Sequence, residues 1–126
     1  MPYVLQVDSR FRAKQGLLSP VRAGAGLPSL DEADGRPFVV RAGLTFVEEA
    51  INDTTGRAVD SDLILLRLQD ATRSASTQPW TELFNFRPTL ERMARHFYEF
   101  LAESLDGLAY VEVHDTTAGL TVRYQP

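Results

Sequence analysis

Pro88-Thr89-Leu90-Glu91-Arg92-Met93-Ala94-Arg95-His96-Phe97-Tyr98-Glu99-Phe100-Leu101-Ala102-Glu103-Ser104-Leu105-Asp106-Gly107-Leu108-Ala109-Tyr110-Val111-Glu112-Val113-His114-Asp115-Thr116 changes its hydrophobic period once, and that change decides the fold class. Leu90, Met93, Ala94, Phe97, Phe100 and Leu101 recur at helical spacing on one stripe that runs on to Leu105. Proline or threonine suits the first turn at 88–89, and Glu91 lies where the helix dipole favours an anion. Asp106-Gly107 stops the helix. From Leu108 to Asp115 the period falls to two, which is a strand. A one-sided helix followed at once by a strand predicts a sheet with helices on one face.

The flanking sequence extends this picture. Gly119 to Tyr124 alternates Leu120, Val122 and Tyr124 against Thr121 and Arg123, so 116–119 closes a hairpin. Upstream, Tyr3, Leu5 and Val7 open a strand that continues to about Ala13. Residues 16–35 hold four glycines and two prolines and read as one long loop. Arg36 to Val47 is a second strand, with Gly43 marking a bulge or bend. Asn52-Asp53-Thr54-Thr55-Gly56 is a turn, and Arg57 to Val59 is a candidate strand continuation. Asp60 or Ser61 caps a first helix carrying Leu63, Ile64, Leu66, Leu68 and Ala71. Residues 72–79 are loop-like. The order is ββααββ in a single α+β domain over 1–126, an antiparallel sheet with two helices on one face.

Composition narrows the function. The chain has 126 residues, 44% of them hydrophobic, and a net charge of −4, so no global basic field recruits nucleic acid. There is no cysteine, which removes thiolate catalysis and Cys-based zinc sites. No apolar run reaches membrane-spanning length, and the first residues show no basic-then-apolar leader pattern. A cytoplasmic protein is expected. Long hairpins leave strand edges open, which predicts closure into an oligomeric barrel.

Several short motifs, in this order and spacing, resemble the 6-pyruvoyltetrahydropterin synthase and 6-carboxytetrahydropterin synthase family. Phe11-Arg12-Ala13-Lys14-Gln15 resembles its F-x-A-A-H motif, and Asp34-Gly35-Arg36-Pro37-Phe38 its H-G-H-x-F/Y motif. Gly56-x-x-x-Asp60, Asn85 with Pro88-Thr89-x-Glu91-x-x-Ala94, and Val111-x-Val113-x-Asp115-Thr116 resemble the G-x-x-x-D-F, L-N…P-T-x-E-x-x-A and V-x-V-x-E-T stretches, with Ser61 in place of the phenylalanine of the first. The resemblance covers nearly the whole chain and implies the T-fold, assembled as a trimer or hexamer with active sites between subunits. It also implies that Gln15, Asp34 and Arg36 stand where the family has three zinc-binding histidines. Arg36 cannot ligate a metal, because its guanidinium stays protonated. No metal and no other cofactor is expected. Where the family has its cysteine, this chain reads Pro28-Ser29-Leu30-Asp31, and where it has L-D-H, Pro79-Trp80-Thr81, with Glu82 adjacent.

The same resemblance implies that Asp115 grips the paired N–H groups of a small heterocycle; read from its residue type alone, Asp115 caps the following turn instead. Alternation puts residues 34 and 36 on one strand face, where Arg36 pairs with Asp34, takes the metal's electrostatic place, or forms a surface ion pair. Lys14 is either a general base or imine-forming amine in an apolar pocket, or a solvated strand lysine. Trp80, Phe84 and Phe86 either stack on a flat ligand or pack a loop. Only two histidines exist, and alternation points His114 away from Asp115. The candidate catalytic set is Lys14, Asp34, Arg36 and Asp115. The candidate substrate contacts are Gln15, Trp80, Glu82, His114, Asp115 and Thr116. The expected activity is a metal-independent cyclase, lyase or isomerase acting on a small carbonyl or heterocyclic metabolite. The alternatives are a catalytically silent binding or scaffold protein, or a zinc-dependent synthase with relocated ligands.

Overall fold

A computed structural model describes residues 3–31 and 34–126. Four strands form one antiparallel sheet in the order β1-β2-β3-β4. β1 (Tyr3–Ala13) and β2 (Arg36–Phe46) pair along their whole length, from Tyr3 opposite Phe46 to Ala13 opposite Arg36. β3 (Leu108–Asp115) lies on the other side of β2, with Phe38 opposite Asp115, and β4 (Leu120–Tyr124) closes the hairpin. The register shifts between Gly43 and Leu44, which is the expected bulge. The Tyr110 ring lies on Gly43, so a Cβ there would sit 2.1 Å from Cζ.

Alternation sorts the sheet into two faces. Phe38, Val40, Ala42 and Leu44 of β2 and Val111 and Val113 of β3 are buried on the side facing the helices. α2 (Ser61–Ser74) packs over β1, and α4 (Leu90–Ala102) packs over β3 and β4. Asp60 caps α2 by accepting from the Asp62 amide, and Thr89 caps α4 by accepting from the Arg92 amide. α4 buries Leu90, Met93, Ala94, Phe97 and Leu101, each large apolar side chain contributing roughly 1.5–3 kcal/mol over its exposed state. Ser9 and Thr72 exchange a buried hydroxyl–hydroxyl bond of 3.0 Å between β1 and α2.

Four local expectations are corrected. The loop 16–35 contains a short helix, α1 (Pro20–Gly24), and the stretch before α4 contains another, α3 (Trp80–Leu83). Neither has helical amphipathic periodicity, because each is about one turn long. Residues 57–59 form no strand. Phe100 lies off the buried stripe and is 43% exposed.

Candidate functional site

The first residue of β2 organises the centre of the site. Arg36 opens β2 opposite Ala13, and its side chain turns into the helix-covered side, where it is only 4% exposed. Its guanidinium donates from Nε and Nη2 to Asp115 Oδ2, at 3.1 and 2.9 Å. Nη2 also donates to Gln15 Oε1 at 2.7 Å, and Nη1 donates to Asp31 Oδ1. The Phe38 ring lies 5.0 Å below the cation. Asp115 sits at the end of β3, where pairing with Phe38 brings it beside Arg36, and it is 2% exposed.

The partners are themselves held in place. Asp115 Oδ1 accepts the Ala118 amide at 3.1 Å, so one oxygen caps the β3–β4 turn while the other holds Arg36. Gln15 donates from Nε2 to the Pro88 carbonyl at 2.9 Å. Asp31 accepts the Gly16 amide at 2.8 Å and the Gln15 amide at 3.3 Å. The ends of β1, β2 and β3 and the start of α4 are thereby joined through one cation. Charge-assisted bonds to both carboxylates offset a desolvation cost of several kcal/mol per buried ion.

This arrangement does not fit a metal. Asp115 and Asp31 are the two carboxylates at the centre, and both are bonded to a guanidinium that cannot deprotonate. Gln15 has turned its amide oxygen, its one acceptor, to the same cation. A dication here would stand against a fixed positive charge with its oxygen ligands already engaged.

The remaining sequence candidates are placed as follows. Asp34 lies in the turn before β2 and is exposed, so the strand alternation expected to bring it to Arg36 does not apply; Asp31 is the aspartate that pairs. Asp31 escaped the sequence reading because it lies in a loop five residues upstream. The available signal was physical: an arginine entering a core needs acceptors for the N–H groups that one carboxylate leaves unpaired. Lys14 is half-buried, its carbonyl accepts the Trp80 amide at 2.9 Å, and its ammonium has no bonded partner among the described residues. Glu82 is exposed in the first turn of α3. Thr116 is exposed and donates to the Pro37 carbonyl.

Trp80 lies in the core of the domain. It is fully buried, its indole N–H donates to the Ala75 carbonyl at 2.8 Å, and its ring packs 4.6 Å from Phe38. No ring face remains for a ligand. Phe84 and Phe86 stack on each other at 5.1 Å and enclose His96 of α4. Burial lowers the His96 pKa below its ordinary 6.5. The folded state therefore holds neutral imidazole while the unfolded chain takes up a proton. Stability is full above about pH 6.5 and is lost as pH falls through the lowered folded value. Thermal melts at pH 7.5 and 5.5 are expected to show this loss in the parent and a smaller one in His96→Phe; an equal loss in both would refute the assignment.

His114 points to the uncovered face, as alternation requires. It bonds Glu112 Oε1 and Thr121 Oγ1, both at 2.9 Å. Glu112 also accepts from Arg123, and Arg41 grips Asp8 with bonds of 2.6 and 3.1 Å. That hydrogen bond holds the Asp8 carboxyl below its ordinary range. His114 is thus separated by the sheet from the Arg36 cluster.

Two clefts meet at Arg36. One, about 280 Å³, runs between Leu30, Thr89 and the β4 backbone region at 120–122 and reaches Asp115. The other, about 450 Å³, lies between the 17–30 segment and Arg36. Both are lined by Gln15 and Leu30.

No protein-family profile and no curated protein matches the chain. A solved structure does: 6-pyruvoyl tetrahydropterin synthase from Caenorhabditis elegans superposes over 100% of this chain and 96% of its own, with a TM-score of 0.69 and 14% identity. The likeness is one of fold, and the pterin-synthase-like T-fold expected from the sequence is the fold observed.

Proposed function

We propose that this chain is a small-molecule-binding T-fold protein in which a protein-borne cation, Arg36, stands where pterin synthases of the resembled family hold zinc. The carrying observation is that Arg36 is buried and bonded at once to Asp115, Asp31 and Gln15. Arg36 on Oδ2 and the Ala118 amide on Oδ1 together engage both oxygens of Asp115, leaving it neither a free base nor a free anchor for a heterocycle. The clefts beside the cluster remain open for a ligand. This reading favours a binding protein over a catalyst, with oligomers formed through the open β1 and β4 edges, where Val4 is 57% and Leu120 55% exposed. Among the described residues no helix is long and apolar enough to cross a membrane.

The second reading, a metal-independent cyclase, lyase or isomerase, is favoured by one observation. Lys14 is half-buried beside Gln15 and has no bonded partner among the described residues, which leaves it available as a base or amine nucleophile.

Protein purified without chelator is expected to carry far less than one zinc per chain, and added zinc is expected to leave its melting temperature unmoved. Elemental analysis and thermal melts check both points. One tightly held zinc per chain would overturn the proposal.

A further inference from the structure

The 450 Å³ cleft between the 17–30 segment and Arg36 has a one-sided chemistry. Its walls are apolar, chiefly Leu17, Leu27 and Leu30. Two guanidiniums, Arg22 and Arg36, line it, and among the described residues no carboxylate does, on a chain whose net charge is −4. Arg36 is committed to Asp115, Asp31 and Gln15. Arg22 is only partly committed: Nε and Nη2 both donate to the Pro28 carbonyl, at 3.1 and 2.8 Å, which orients the plane and leaves Nη1 without a protein acceptor among the described residues. The hydroxyls of Ser19 and Ser29, both in the lining, accept from the Arg22 and Asp31 amides and so keep their protons to donate. Two acceptors in the lining are already used. The Pro28 carbonyl is taken by Arg22, and Gln15 Oε1 is taken by Arg36.

A cavity that offers donors and positive potential above apolar walls selects an anion with an apolar body. A planar fork with a free N–H edge suits a carboxylate. We propose that this cleft binds a monocarboxylate with an aliphatic or aromatic body, and that Arg22 determines its selectivity for the charged head. The inference deepens the ligand-binding reading above and rests on it.

The test is an NMR titration of the isotopically labelled full chain with octanoate, 3-phenylpropionate and octanamide, followed at the amides of residues 17–30. Saturable binding of the carboxylates below about 1 mM is expected, with octanamide at least tenfold weaker, since a hydrogen bond to a charged group outweighs one to its neutral isostere. Arg22→Gln is expected to weaken carboxylate binding about tenfold or more, and Arg22→Lys, which retains the charge, to recover part of it. Unchanged dispersion of the core amides verifies that both variants fold. Equal affinity for octanoate and octanamide, undiminished binding by Arg22→Gln, or no saturable binding of either carboxylate would overturn the assignment. The zinc measurement is separate: metal at unit stoichiometry refutes the underlying reading, whereas a failed titration with no zinc refutes only the carboxylate.

Discussion

Replacing Arg36 with leucine is expected to lower the unfolding free energy by about 3–5 kcal/mol, because it leaves two carboxylates in the core's margin without their counter-ion. Asp115 is the more costly orphan, being almost wholly buried with one backbone amide from Ala118, while Asp31 is less buried and retains two, from Gln15 and Gly16. Urea denaturation followed by circular dichroism reads the effect as a lower midpoint at unchanged slope. Arg36→Lys is expected to recover little, since an ammonium cannot reach Asp115, Asp31 and Gln15 together in the planar fork that four N–H groups now fill. The triple variant Arg36→Leu, Asp31→Asn, Asp115→Asn is expected to regain a large part of the loss, because the penalty belongs to the unpaired charge more than to the missing attraction. A single-variant change below about 1 kcal/mol would show that the cluster is solvated and that Arg36 does not hold the strand ends together.

Trp80→Ala is expected to cost roughly 3–5 kcal/mol through the cavity it leaves between Phe38 and Phe11. It also orphans the Ala75 carbonyl, which closes α2. Trp80→Phe refills most of the volume but not the hydrogen bond, so it is expected to fall between the parent and the alanine variant. The same urea experiment measures both. A ligand-stacking tryptophan would behave differently, with stability preserved and binding lost. An unchanged midpoint in Trp80→Ala would restore Trp80 as a candidate contact.

The contrast between these two residues explains how far the sequence could be read. Both stand at positions that the resemblance picks out. Trp80 offered no cue to its depth, because α3 is one turn long and carries no period that separates an inner from an outer face. Arg36 carried more information. A cation that follows Gly35 and begins an apolar strand had to be paired or lie at the surface. Which acid pairs with it depended on where β2 begins. The strand starts at Arg36, so Asp34 falls in the turn and Asp31 folds back from a loop. Asp115 was legible in part: its turn-cap alternative is carried out by Oδ1, which accepts the Ala118 amide, while Oδ2, on the side read as an anchor for a heterocycle, holds Arg36 instead.

The ββααββ order, strand alternation, the α4 stripe and the Gly43 bulge were determined by the sequence alone. These features depend on local period and side-chain size, and few residues are needed to express either. The identity of the central cation's partners, the depth of Trp80 and the meeting of the cleft with Arg36 were decided only by the tertiary structure. Each depends on contacts between segments distant along the chain, from β1, the 16–35 loop, β2 and the end of β3, whose approach is set by packing the sheet against its helices.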